Sequence, residues 1–321
     1  MKSKSKVKNI LILGGSGFIG SNFLRFAHGL EQDNQNKRDF LSKKLQYRII
    51  APSHEQLDIL NVNQLSNIFK DLFPEIVINF AAHRDANSAE LQRGNVDGSV
   101  WKTNVKGVGN ISKICQEYGS FFIHISTDMV FSGSQNNPGP YDEKTKPEIK
   151  LENLSWYGWT KAEGERVLED NKKTAIIRVG NVTNILYDPK LDYVGKILYL
   201  FDRNKLYSLF SDQYLTLTYV PSMFEVMETL IRKKINGVFH VASRNVFSPY
   251  ELAKYLIEKI RGKTDVVRKM SINDYFKFSP HRYPQYGGLL AKETAKQLRV
   301  ELLDWERIVD LYIAKMSSSL H

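Results

Sequence analysis

Apolar residues follow one another from Val7 to Leu13 with almost no polar alternation, the pattern of a strand covered on both faces in a parallel sheet. Glycines come next, and Ser21 to Leu30 has helical spacing. The polar stretch Glu31 to Gln46 reads as a surface insertion before a second strand, Tyr47 to Ala51. The alternation continues with a helix over Val62 to Leu72, a strand Ile76 to Ala81, a helix Trp101 to Tyr118 and a strand Phe121 to Ser126. Helix Ser155 to Asp170 and strand Ala175 to Val179 follow, after which the pattern is less regular until the short strand Gly237 to Val241. Strands alternating with helices predict an α/β fold built on a doubly wound parallel sheet. Ser248, with Glu251 three residues on, predicts a capping box at a helix start.

Composition narrows the class. With 321 residues, 42% apolar and 25% charged, the chain has the make-up of an ordinary globular protein with ample core, neither a stapled miniature nor a disordered chain. Cys115 is the single cysteine, which excludes an intrachain disulfide and a cysteine-based zinc site; its apolar helix makes it a core residue, and no metal is expected. Lys and Arg outnumber Asp and Glu by 45 to 35, a net charge of +10 that attracts polyanions. The basic residues are dispersed and no nucleic-acid-binding signature occurs, so a phosphorylated small molecule is the better-supported ligand. The apolar run Ile10 to Leu13 is too short for a signal peptide, and no segment has the length of a membrane span. A soluble, cytoplasmic protein is expected.

Gly14, Gly17 and Gly20, spaced by three between a strand and a helix, form the strongest chemical signal. Such a turn lets backbone amides approach a pyrophosphate, while the helix N-terminus supplies partial positive charge and the last glycine permits close helix packing. Gly14, Ser16, Gly17, Phe18, Ile19 and Gly20 are therefore candidate dinucleotide contacts in a Rossmann-type domain. The second strand runs into Ala51-Pro52-Ser53-His54 without the acid that would repel a 2′-phosphate, so Ser53 and His54 favour NADP over NAD. Asp58, with Ile59, reads equally as a cofactor contact or as the cap of the helix near Val62.

Tyr157 and Lys161, four apart, share a helical face. A phenol is a poor acid-base catalyst at neutral pH unless a nearby cation favours its phenolate, which such a lysine supplies. Upstream, Ser126-Thr127-Asp128 ends a strand at the carboxyl edge, where open α/β sheets bind ligands. Together with the glycine triplet, the strand end Asn79-Phe80-Ala81-Ala82, the run Asp128-Met129-Val130-Phe131 and Pro140-Tyr141-Asp142-Glu143, these residues resemble an extended short-chain dehydrogenase/reductase, specifically the dTDP-4-dehydrorhamnose reductase group. Asn104, Arg178, Asp212-Gln213, Arg282 and Pro284 add to the match.

The resemblance implies an NAD(P)-binding domain over 1–180 and 218–242, and a smaller substrate-binding lobe over 181–217 and 243–321. It implies that Thr127, Tyr157 and Lys161 are catalytic, with Asn104 supporting the proton path, and that Ala81, Ala82, Tyr157 and Lys161 also face the cofactor. Thr127, Asp128, Met129, Asn181, Asp212, Gln213 and Arg282 would meet a nucleotide-diphosphate sugar, and a homodimer is common in the family. Met129 stands where the reductases usually carry Tyr and the dehydratases of the superfamily carry Glu, which argues against dehydration. A nucleotide-sugar 4-epimerase and a non-catalytic, cofactor-binding subunit resembling the regulatory subunit of methionine adenosyltransferase are the alternatives. Arg84 reads as a phosphate contact or a surface partner of Asp85, Trp156 and Trp159 as local packing or as lining of a sugar pocket, and Asp212 as a sugar contact or a turn residue.

Overall fold

The computed structural model describes residues 8–27, 47–184, 192–263, 265–278 and 283–318. The predicted insertion from Glu31 to Gln46 and the substrate candidate Arg282 lie outside the described residues. The predicted strands form as β1 (Lys8–Leu13), β2 (Tyr47–Ile50), β3 (Ile76–Asn79), β4 (Phe121–Thr127) and β5 (Thr174–Val179). They lie in a six-stranded sheet of order β2-β1-β3-β4-β5, closed by the strand Gly237–Val241. β1 pairs in parallel with both β2 and β3, and β3 with β4. Ile10, Leu11 and Ile12 are fully buried, as their unbroken apolar run requires. Strand order reverses between β1 and β3, and in such sheets ligands bind beyond the carboxyl ends of the strands at that point.

Helix α1 (Phe18–Ala27) leaves the glycine turn directly, three residues before the predicted start. The amide of Gly17 donates to the Gly14 carbonyl at 3.1 Å and that of Ser21 to the Gly17 carbonyl at 2.8 Å, so the turn itself supplies the first helical bonds. Helix α2 (Val62–Leu72) matches the expected span, but its cap is Asn61, whose side chain accepts from the Gln64 amide at 3.1 Å. The capping role considered for Asp58 is thus corrected: its Oδ1 accepts from the Leu60 amide in the preceding turn. Leu65 and Phe69 bury the apolar face of α2 against Val108, Ile111 and Cys115.

The single helix expected over Trp101 to Tyr118 is in fact three pieces, Ser99–Trp101, a π-helical turn Lys102–Gly107, and the helix Val108–Tyr118. Wide turns of this kind concentrate at functional sites. Gly107 lies against the side chain of Ile59, and Gly164 on the helix Trp156–Arg166 lies against the carbonyl oxygen of Asn104.

By internal packing the chain separates into two compact units, 1–126 with 160–177 and 227–237, and 127–159 with 178–226 and 238–321. The region read as irregular contains two helices, Tyr193–Asp202 and the long Val220–Lys233, where Pro221 is tolerated in the first turn. In the second unit, Val194, Leu198, Leu252, Leu256, Ile308 and Tyr312 form one core. The capping box forms as expected: Ser248 Oγ accepts from the Glu251 amide, and the Glu251 carboxylate accepts from the Ser248 amide.

Gly164 and Gly109 make a controlled pair. An alanine at 164 presses its methyl onto the Asn104 carbonyl, whereas one at 109, in a helix, meets nothing within 4 Å. We expect Gly164→Ala to cost about 1–3 kcal/mol in urea unfolding, and Gly109→Ala to be neutral or to stabilise by up to about 1 kcal/mol.

Candidate functional site

The first unit contains the glycine turn. Gly14 has φ +74°, and any Cβ there would collide with the backbone of Phe80 and Ala81 at the end of β3. A Cβ on Gly20 would strike the Gly14 carbonyl, whereas at Gly17 the nearest atom is 3.4 Å away. Glycine is thus forced at 14 and 20 by the protein's own packing, while at 17 the protein leaves room. The turn lies at the positive end of α1, where the first amides of a helix have no partner within it, a cradle whose chemistry fits a pyrophosphate.

Beside it opens a cavity of about 380 Å³ lined by Gly14, Ser16, His54, Asp58, Ile59 and Ala81, all candidates from the sequence. Lys102 and Thr103 of the π turn also line it and escaped sequence reasoning, because nothing local shows that this turn reaches the carboxyl edge of β1. Pro52 lines it where Ser53 does not; the exposed Ser53 instead shapes a turn, its amide donating to Gln56 Oε1. Gly17, Phe18, Ile19, Gly20 and Ala82 are not among the lining residues.

Deeper in this unit, Asn104 is fully buried. Its Oδ1 accepts from the His83 amide, and its Nδ2 donates to the His83 carbonyl and to Thr160 Oγ1, tying the loop after β3 to the π turn and the tyrosine helix. Both amide protons are spent on these bonds. Lys161 is 2% exposed, donates to the Ile125 carbonyl at 2.7 Å, and lies 3.2 Å from His124 Nε2. Burial pulls the ammonium down to about 8, with Glu165 acting in the opposite direction.

The second unit begins at Thr127, the residue after Ser126 at the end of β4. Thr127 Oγ1 donates to Asp128 Oδ1 at 3.1 Å and accepts from the Met129 amide. Burial raises the Asp128 carboxyl to about 6 despite that hydroxyl and the local amides. Asp128 also packs against Gly180, where a Cβ would strike its carboxylate. Ser155 Oγ accepts from the Gly158 amide at the start of the tyrosine helix, and the Cα of Gly158 lies against the Met129 carbonyl. Only a residue without Cβ lets the helix approach Met129 this closely, and its neighbour Tyr157 is half-buried.

Other substrate candidates are held by the protein itself. Asn181, at φ +45°, donates to the Thr216 carbonyl, and Gln213 donates to the Pro284 carbonyl. The Asp212 carboxylate accepts from Ser271 Oγ and the Ile272 amide. Arg178 is interior, its guanidinium over the Phe131 ring at 4.9 Å and bonded to the Thr145 carbonyl.

The model of the RmlD substrate binding domain matches residues 8–318. The chain belongs to this family. Among curated relatives, the β subunit of methionine adenosyltransferase 2 from Pongo abelii is 30% identical over 77% of this chain and 70% of its own length. A dTDP-4-dehydrorhamnose reductase from Aggregatibacter actinomycetemcomitans is 25% identical over 81% and 88%. The crystal structure of a dTDP-4-dehydrorhamnose reductase from Bacillus anthracis in complex with NADP superposes with a TM-score of 0.79 at 22% identity, over 97% of this chain and all of that one. The family member described here is thus an extended short-chain dehydrogenase/reductase in fold. Among its described residues no helix is long and apolar enough to cross a membrane.

Asp128 provides a test of the site's electrostatics. Its carboxyl is raised in the folded protein, so its contribution is most favourable below the unfolded value near 3.8 and is lost as pH rises through about 6. The stability of Asp128→Asn relative to the parent should therefore improve by on the order of 1 kcal/mol between about pH 5 and pH 7.5. Chemical unfolding at the two pH values reads this directly, and a pH-independent difference would contradict the burial argument.

Proposed function

We propose that this protein is an NAD(P)-dependent reductase of a 4-keto nucleotide-diphosphate sugar. The observation that carries the reading is the tyrosine helix: Tyr157 and Lys161 one turn apart, with Gly158 seated on the backbone of the Thr127–Met129 segment. The bound dinucleotide would supply the hydride. Gly14, Ser16 and the start of α1 would hold its pyrophosphate, and Ala81 would close the cavity beside it. Tyr157 would give its phenolic proton to the carbonyl oxygen as that oxygen becomes a hydroxyl. Lys161, whenever it carries its proton, would stabilise the phenolate left behind, and it would hold the nicotinamide ribose. Thr127 would turn its hydroxyl from Asp128 to the substrate oxygen. Asn104 would act through position, by fixing the loop and helix on either side of it. The lobe over 181–217 and 243–321 would receive the sugar nucleotide.

NADPH is the favoured coenzyme in this reading. His54 and Lys102 both border the cavity, and a 2′-phosphate placed there would meet these cationic or hydrogen-bonding side chains. The similarity to the methionine adenosyltransferase β subunit supports a second reading, a cofactor-binding partner of another enzyme. The presence of Tyr157, Lys161 and Thr127 together in this chain favours turnover.

The test is loss of NADPH absorbance in the presence of dTDP-, UDP- and GDP-linked 4-keto sugars. Turnover is expected with one of them, and Tyr157→Phe should reduce it by about 100-fold or more while cofactor binding persists. NADPH binding without turnover on any of the panel, together with recovery of a stoichiometric enzyme partner, would overturn the reductase in favour of the second reading. Lys102→Ala should weaken NADPH more than NADH; equal loss for both would remove Lys102 from phosphate recognition.

A further inference from the structure

A chain of three polar side chains runs through the interior of the first unit from β3 through β4 to the tyrosine helix. Asn79 Oδ1 accepts from the Ala81 amide at 3.0 Å, which turns its Nδ2 toward His124 Nδ1 at 3.3 Å. His124 Nε2 lies 3.2 Å from Lys161 Nζ, and Lys161 also donates to the Ile125 carbonyl at 2.7 Å. His124 is fully buried, Asn79 is 1% exposed and Lys161 2%.

The hydrogen-bonding inventory of these groups leaves one consistent assignment. An amide nitrogen only donates, so Nδ1 of His124 must accept from Asn79. A neutral imidazole carries one proton, which is then on Nε2 and points at Lys161. The imidazolium is excluded, since both ring nitrogens face nitrogen atoms, and burial holds His124 well below its ordinary value. An ammonium has no lone pair, so Lys161 can satisfy this contact only as the neutral amine, accepting from Nε2–H while donating to Ile125. The opposite tautomer would satisfy a charged lysine but set Nδ1–H against the Asn79 amide protons.

We propose that His124, its tautomer set by Asn79, is a positioning residue that presents a donor to Lys161 and so weakens the lysine's hold on its proton. The downward pull of burial on Lys161 acts in the same direction. Glu165, one turn along the same helix and accepting from Ser126 Oγ, is the charged group that opposes it. The consequence for catalysis rests on the reductase reading above: a lysine whose proton exchanges readily near neutral pH can take one up from water and pass it to the Tyr157 phenolate after each turnover.

The assignment itself does not depend on that reading, and the test separates the two. In cofactor-free protein labelled with ¹⁵N-histidine, the imidazole nitrogen spectrum at mildly alkaline pH should show His124 protonated on Nε2 and bare on Nδ1. A proton on Nδ1, or an imidazolium, would overturn the proposal whatever the protein's activity. Asn79→Asp keeps an acceptor for the Ala81 amide and offers a second oxygen to the ring, so it should move the proton to Nδ1 and leave Nε2 as an acceptor for the ammonium. If the variant folds, the alkaline fall of NADPH oxidation should then move up by about one pH unit. A uniform loss of rate with an unmoved limb would show a merely structural role and overturn the catalytic consequence, while the tautomer result in the parent protein stands apart from it.

Discussion

The contact of Gly20 with the carbonyl of Gly14 is the constraint from which the ligand-binding edge follows. Because neither residue carries a Cβ, α1 starts immediately beyond β1 and aims its amide end past the strand. Gly14 at positive φ in turn lets Ala81 close against it from β3, at the point where strand order reverses. The cavity, its lining by Ser16 and Ala81, and the placement of the loop that Asn104 grips all depend on that approach.

Close backbone approaches recur at three further glycines. Gly158 brings the tyrosine helix onto the Met129 carbonyl, Gly164 brings the same helix onto Asn104, and Gly180 makes room for the carboxylate of Asp128. Between these contacts the interior keeps a number of polar groups, and three of them show how they are compensated. Lys161 is met by a carbonyl and an imidazole, Asn104 by a backbone amide, a carbonyl and a hydroxyl, and Arg178 by a carbonyl and the face of Phe131. Buried polar groups satisfied in this way are held rigidly, because any departure strands a donor or acceptor away from water. Tyr157 and Lys161 are kept one turn apart by the helix that carries both.

Features carried by local chemistry were legible in the sequence. The apolar runs of β1 and β4, the glycine triplet, the capping box at Ser248 and the pairing of Tyr157 with Lys161 each rest on residues near one another in the chain. What escaped depends on distant neighbours. The π turn at Lys102–Gly107 looks like ordinary helix in sequence, and only the packing of Gly107 on Ile59 and of Gly164 on Asn104 sets it apart. Lys102 and Thr103 enter the cavity by that same tertiary route. Asp58 and Asn61 are both acceptable caps by type, and the backbone geometry chose Asn61. The helix Val220–Lys233 was obscured by its early proline, and most of its apolar face lies buried in the fold.

Gly17 offers the most direct test of the central claim, that the turn after β1 is a pyrophosphate cradle. The protein itself leaves room for a methyl there, with the nearest atom 3.4 Å away, so Gly17→Ala should fold and melt like the parent. A phosphate seated on the turn's amides would meet that methyl. A fluorescence titration with NADPH should therefore show saturable binding by the parent protein and a severe loss in Gly17→Ala. Equal binding by a folded Gly17→Ala, or no binding by the parent, would contradict the account.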